Sequence, residues 1–146
     1  MFYLGLDIET LGLLDKKPLP AITCACLFDG TNEYMFQFHQ APVHIQTENR
    51  ERLVALLDAA DRLIGYNLVL FDLEFIKQTF QISDDKMSAW VRKSIDPFMY
   101  LKFVVKQTTT LSSLLELNGL ASKTGSGMQA ISWALEVKRM LLEPIF

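Results

Sequence analysis

Residues 3–12 read YLGLDIETLG, an apolar run that reads as a buried strand until it meets two acids, Asp7 and Glu9. On a strand, residues two apart face the same way, so both carboxylates leave on one side, close enough to repel. A positive charge between them relieves that repulsion. A hard divalent cation is the economical choice, since Mg²⁺ and Mn²⁺ favour oxygen ligands and need few protein carboxylates when a substrate phosphate supplies the rest. The plain alternative is a pair of solvated acids at a strand end. The triplet alone does not choose between the two.

The strand sits in a chain of 146 residues, 50% hydrophobic and 21% charged, the balance of one globular domain able to bury a sizeable core. The formal charge of -3 leaves no basic footprint for nucleic acid. Acids that bind cations are themselves counted in that sum, however, so net charge decides little. No uncharged apolar segment approaches the roughly 18 residues of a membrane span, and the N-terminus has no signal-peptide pattern. A soluble, intracellular, cytoplasmic protein with no membrane partner is the expectation. Cys24 and Cys26 lie two apart on a predicted strand, on one face, where they cannot form an ordinary disulfide with each other. With only His39 and His44 nearby they make a poor zinc site, and buried thiols in a reducing compartment are the expectation.

Outward from residue 12 the chain shows no linker, repeat or low-complexity tract. Residues 2–8 and 21–28 are strand-like, and Asp29-Gly30 offers turn chemistry before a third run, EYMFQFH. Thr47 is placed as the cap of a helix reaching about residue 60, with Leu53, Val54, Leu56 and Leu57 as its stripe. RLIGYN is a short strand closing on Gly65 and Asn67. Helices over about 68–80 and 84–92 follow, then a short strand in KSIDPFMYL and a helix from Pro97 to about Val105. Thr110–Leu117 and Met128–Leu142 read as helical around the glycine-rich loop NGLASKTGSG. The order predicts an α/β fold, a mixed sheet of three antiparallel strands followed by two parallel ones, flanked by helices. Ligands of open sheets collect at the carboxyl ends of strands, where Asp7 and Glu9 emerge.

A second acid stands out in IGYNLVLFDLEFI, residues 64–76. With Asn67 as helix cap, the inward stripe counted from Leu68 is Leu68, Phe71, Asp72, Phe75, Ile76 and Thr79. Asp72 thus falls on the buried side, costly unless it is paired or bound to metal. The alternative is an acid near a helix N-terminus, favoured by the dipole. Asp96 ends another strand at the same sheet edge and reads as the cap of the helix starting at Pro97.

Together, LDIETLG and GYNLVLFDLEFI resemble the first two motifs of the DEDD 3′-to-5′ exonuclease superfamily, whose fold is of the ribonuclease H type. The stretch TLSSLLELNGLASKTGSGMQAISWALE is similar to a branch related to the exonuclease domain of family B DNA polymerases, including YprB-like proteins. The resemblance implies two-metal hydrolysis of phosphodiesters with Mg²⁺ or Mn²⁺, on nucleic acid with a free 3′ end. It makes Asp7, Glu9 and Asp72 catalytic metal ligands, and Thr10, Leu11, Asn67 and Lys123 substrate-binding residues, Lys123 standing in a loop with Gly125 and Gly127. In that branch a Tyr-x-x-x-Asp motif follows and supplies the fourth acid. Here the chain reads VKRMLLEPIF, no such motif follows Gly127, and the acids after that glycine are Glu136 and Glu143. The expectation is therefore one domain over residues 1–146 without the family's final helix. Three outcomes are open: an exonuclease of impaired activity, a relative binding a nucleic-acid end or a protein partner, or a site completed by another chain or a dimer mate. Tyr66, Phe71 and Phe98 are candidates for base stacking, with Phe71 read as core, and Lys16 and Lys17 for backbone contact.

Overall fold

The computed structural model describes residues 1–120. The predicted helix over 128–142 and the loop residues Lys123, Gly125 and Gly127 lie outside the described residues.

The first strand, β1 (Tyr3–Thr10), runs two residues beyond the predicted end, so Asp7 and Glu9 belong to its body. It pairs antiparallel with β2 (Ile22–Phe28), which pairs antiparallel with β3 (Glu33–Gln37). After α1 (Val43–Ala59) the chain returns as β4 (Arg62–Ile64), parallel to β1. A π-helical turn (Leu68–Asp72) leads into α2 (Leu73–Phe80), then α3 (Asp84–Arg92) and β5 (Ser94–Ile95), parallel to β4. The chain continues through α4 (Pro97–Tyr100), a second π-helical turn (Leu101–Val105) and α5 (Leu111–Leu117). The sheet order is β3-β2-β1-β4-β5. This is the predicted mixed sheet, three strands antiparallel and two parallel.

Alternation along β1 decides its two faces. Leu4, Leu6, Ile8 and Thr10 are buried, while Tyr3 and Asp7 are exposed and Gly5 and Glu9 half-buried. The buried face packs with Ile22, Ala25 and Leu27 of β2 against Leu53 and Leu57 of α1, Leu73, Phe75 and Ile76 of α2, and Trp90 of α3. Burying a Leu, Ile or Phe contributes about 1.5–3 kcal/mol each, so this single face carries most of the hydrophobic stabilisation of the described residues. Asp58, near the end of α1, ties the helix layer together by accepting from both Lys86 Nζ and the Trp90 indole N–H, the latter at 2.8 Å.

Three local expectations are corrected. The helix α1 starts at Val43 after Pro42, and Thr47 is inside it, its hydroxyl donating to the Val43 carbonyl at 3.1 Å. Proline at the N-terminal boundary costs no intrahelical bond, which lets the helix start a turn earlier than the apolar stripe suggests. The inward stripe of α2 carries Leu73 in place of Thr79, which is exposed. A count at 3.6 residues per turn slips because the π-helical turn over Leu68–Asp72 holds one residue more. Cys24 and Cys26 are half-buried rather than fully buried, because β2 turns both of them to the face opposite the helices.

Candidate functional site

The β1–β2 register sets Asp7 opposite Cys26 and Glu9 opposite Cys24, all four on the sheet face away from α1 and α2. Beyond Glu9 the register shifts, and Thr10 pairs with Ile22. Such a bulge increases local twist and re-aims side chains, and it falls where the acids leave the strand. β4 pairs with β1 only as far as Gly5. Past that point the Ile8 N–H is taken by the carboxylate of Asp72, which accepts it at 2.9 Å in a buried contact. Asp72, 4% exposed, reaches the edge of β1 from the side of α2, while Asp7 and Glu9 belong to the sheet face opposite α1 and α2. A residue 64 positions away in sequence is thereby locked to the peptide between the two strand acids.

The turn that delivers Asp72 is built by groups whose role the sequence does not disclose. Asn67 stands at the N-cap position with φ 59° and ψ 26°, but its side chain makes no capping hydrogen bond. Asp96 does the capping: one carboxylate oxygen accepts from Asn67 N at 2.9 Å and from Phe98 N at 3.1 Å, the other from Val69 N at 3.0 Å. Its expected role as cap of the helix at Pro97 is thus present, and a second role joins it. Gly65 completes the turn, because a Cβ there would lie 2.9 Å from the Leu68 Cβ and 3.1 Å from the Leu6 carbonyl oxygen. The Asn67 side-chain oxygen is buried and accepts no hydrogen bond. A buried acceptor left without a donor costs about 1–3 kcal/mol.

The remaining predicted residues fall as follows. Thr10 is buried, its hydroxyl donating to the Gly12 carbonyl at 2.7 Å, and Leu11 is half-buried with its N–H donating to Ala21 at 2.9 Å. The segment after β1 is therefore pinned rather than loose. Lys16 and Lys17 are exposed, Lys16 at 3.9 Å from Asp15. Phe71 packs edge-on against Phe75 with centroids 5.0 Å apart, as core, and Tyr66 meets Phe98 at 5.5 Å. The Tyr66 hydroxyl donates to the Thr109 carbonyl, and burial, then the negative charge of Asp96, raises its pKa.

A cleft of about 740 Å³ opens on the sheet face opposite α1 and α2, lined by Asp7, Cys26, Tyr34, Met35, Tyr66 and Leu111 among others. It is mainly apolar with the acid at its side, the mixture common in small-ligand sites. Behind it the two thiols interact: the hydrogen bond from Cys26 holds the Cys24 pKa down to about 7, against burial and the charges of Glu9 and Asp7. The same bond, then burial, pushes Cys26 up.

Three carboxylates are the donor chemistry of a hard divalent cation; Asp72 is bonded to the N–H of Ile8, whose chain neighbours on β1 are Asp7 and Glu9. Among the described residues, though, no three His, Cys, Asp or Glu side chains already stand as a ligand group. The donor set fits a hard divalent cation in kind. No helix among the described residues is long and apolar enough to cross a membrane.

A family model for the RNase_H superfamily, RNase_H_2, matches residues 4–133. The match spans β1 through α5, and the mixed five-stranded sheet is consistent with that fold. The chain belongs to the RNase H superfamily. No curated protein matches it.

Proposed function

We propose that this chain is a metal-dependent 3′-to-5′ exonuclease of the DEDD kind, acting on nucleic acid with a free 3′ end. The observation that supports this reading best is the Asp72 carboxylate on the N–H of Ile8, which brings a third, distant acid to the peptide between Asp7 and Glu9. Membership of the RNase H superfamily adds nuclease-type chemistry as background. Asp7, Glu9 and Asp72 hold Mg²⁺ or Mn²⁺ in this reading. The bound ions supply Lewis-acid charge at the phosphate and a water of lowered pKa.

The protein's own groups then have separable tasks. Asp7, exposed at the cleft, meets the ion and phosphate first. Glu9, beside the bulge, closes the same side. Asp72 brings its charge already oriented, because its bond to Ile8 holds the carboxylate and burial limits its other rotamers. The Asn67 side-chain oxygen, buried without a donor, accepts from a hydroxyl of the terminal nucleotide. The test is shortening of a single strand by the purified chain with Mn²⁺ or Mg²⁺, read from labels at each end, with Asp7→Ala as control. Stepwise loss from the 3′ end, absent in the variant, is the expected result. Loss from the 5′ end, or equal loss in the variant, refutes the proposal.

A further inference from the structure

The chain after β5 presents apolar side chains outward on an otherwise polar surface. In the second π-helical turn Lys102, Phe103, Val104 and Val105 are all exposed, so the turn shows its whole circumference. Phe103 is 50% exposed, and Tyr100 just before the turn 60%. Large apolar groups that leave the body of a protein together mark a surface for a partner.

Charge and ring contacts say which partner. From residue 97 to residue 115 the sequence has no acid and two lysines, Lys102 and Lys106, in a chain of formal charge -3. The Lys102 ammonium stands 5.6 Å from the ring centroids of both Phe98 and Phe103. Phe98 in turn meets Tyr66 edge-on at 5.5 Å, and Tyr66 lines the cleft that holds Asp7. Rings and cation thus form one path from the acid-bearing cleft to the exposed turn. Asp96 accepts from both Phe98 N and Asn67 N, which ties this path to the turn that delivers Asp72. An apolar protein surface would use the rings and leave the lysines idle, and a free phosphate would do the reverse. A single nucleic-acid strand uses both, its bases stacking on aromatic faces and its phosphates meeting cations. We propose that Tyr100, Lys102, Phe103 and Lys106 form a track for single-stranded nucleic acid, leading its 3′ end past Phe98 and Tyr66 toward Asp7. The polarity of the strand rests on the exonuclease reading, whereas the track itself is a binding surface and needs no hydrolysis.

Binding of a fluorescent single strand to the full chain is followed by anisotropy in EDTA, and shortening in Mn²⁺ is measured separately. Phe103→Ala and Tyr100→Ala should each weaken binding about 5-fold or more, the lower end of what one stacked base contributes. Lys102→Gln and Lys106→Gln should each flatten the slope of log affinity against log salt by about 0.7. A blunt duplex of the same sequence keeps its bases stacked on one another, so its binding should not respond to Phe103→Ala. Urea midpoints equal to that of the wild type show that the exposed substitutions leave the fold intact. No binding by the wild type, binding unchanged in the variants, or the same loss on duplex overturns the track. Variants that alter only self-association give the surface to a second copy of the chain and overturn it too. A wild type that binds through these residues and shortens nothing upholds the track against the exonuclease reading. Shortening with binding indifferent to all four substitutions does the opposite.

Discussion

Asp72 has one observed task, its bond to β1, and a second in the proposed function, and substitutions separate them. Its carboxylate satisfies a buried backbone N–H of β1, so Asp72→Ala removes both that acceptor and the charge. Loss of a buried acceptor predicts a stability cost of about 1–3 kcal/mol in urea unfolding, together with loss of hydrolysis. This corrects the simple expectation for a metal ligand, whose removal leaves the fold intact. Asp72→Asn keeps a side-chain oxygen for Ile8 and removes only the charge, so folding within about 1 kcal/mol of wild type with hydrolysis lost is the predicted outcome. Asp7 is exposed, and Asp7→Ala should change stability by no more than about 0.5 kcal/mol while abolishing hydrolysis. Asp72 was legible as a costly acid on an apolar stripe. Its partner was not, because a bond spanning 64 residues leaves no local pattern.

At the scale of elements, the turn between β4 and α2 carries the site. Asp96 receives three backbone N–H groups there, two of them from the turn, Asn67 and Val69. Asp96→Ala is predicted to destabilise by about 2–3 kcal/mol and to reduce hydrolysis through misplacement of Asp72, whereas Asp96→Asn should recover much of both. Equal activity in Asp96→Ala and wild type would show that the turn does not position the acid. The β2–β3 turn offers a pH-dependent counterpart away from the site. Backbone and side-chain N–H groups of Asn32, with Thr31 N, hold the Asp29 pKa at about 2, below its ordinary 3.8. A folded pKa lower than the unfolded one adds stability above about pH 3.8 that fades as pH falls toward 2. Carboxyl NMR titration of Asp29 checks the value. Turn chemistry at Asp29-Gly30 was readable in sequence, as were the strands and most helices. The α1 start was not, since Pro42 allows a polar first turn. Nor was the π-helical turn, which displaces the stripe by one residue and exchanges Thr79 for Leu73.

Across the whole molecule, one sheet separates two kinds of surface. One face is sealed by three helices and gives the strands their alternation, so sheet type and strand directions could be read from periodicity and connection length. The other face bears Asp7, Glu9, Cys24 and Cys26, and the cleft. Its chemistry was half legible. The acids announced themselves as like charges one residue apart, whereas the thiols looked like core, because cross-strand register and facing are properties of the assembled sheet. Membership of the RNase H superfamily accounts for the mixed sheet. The central claim is that those acids, joined by Asp72, hydrolyse a 3′-ended strand with a divalent metal. Its most direct test is a time course of a 5′-labelled single strand with Mn²⁺, the wild-type chain beside Asp7→Ala and Asp72→Asn. A ladder shortening from the 3′ end with wild type and with neither variant is the predicted result. A folded wild-type chain that leaves the strand intact, or variants that shorten it as fast, would contradict the account.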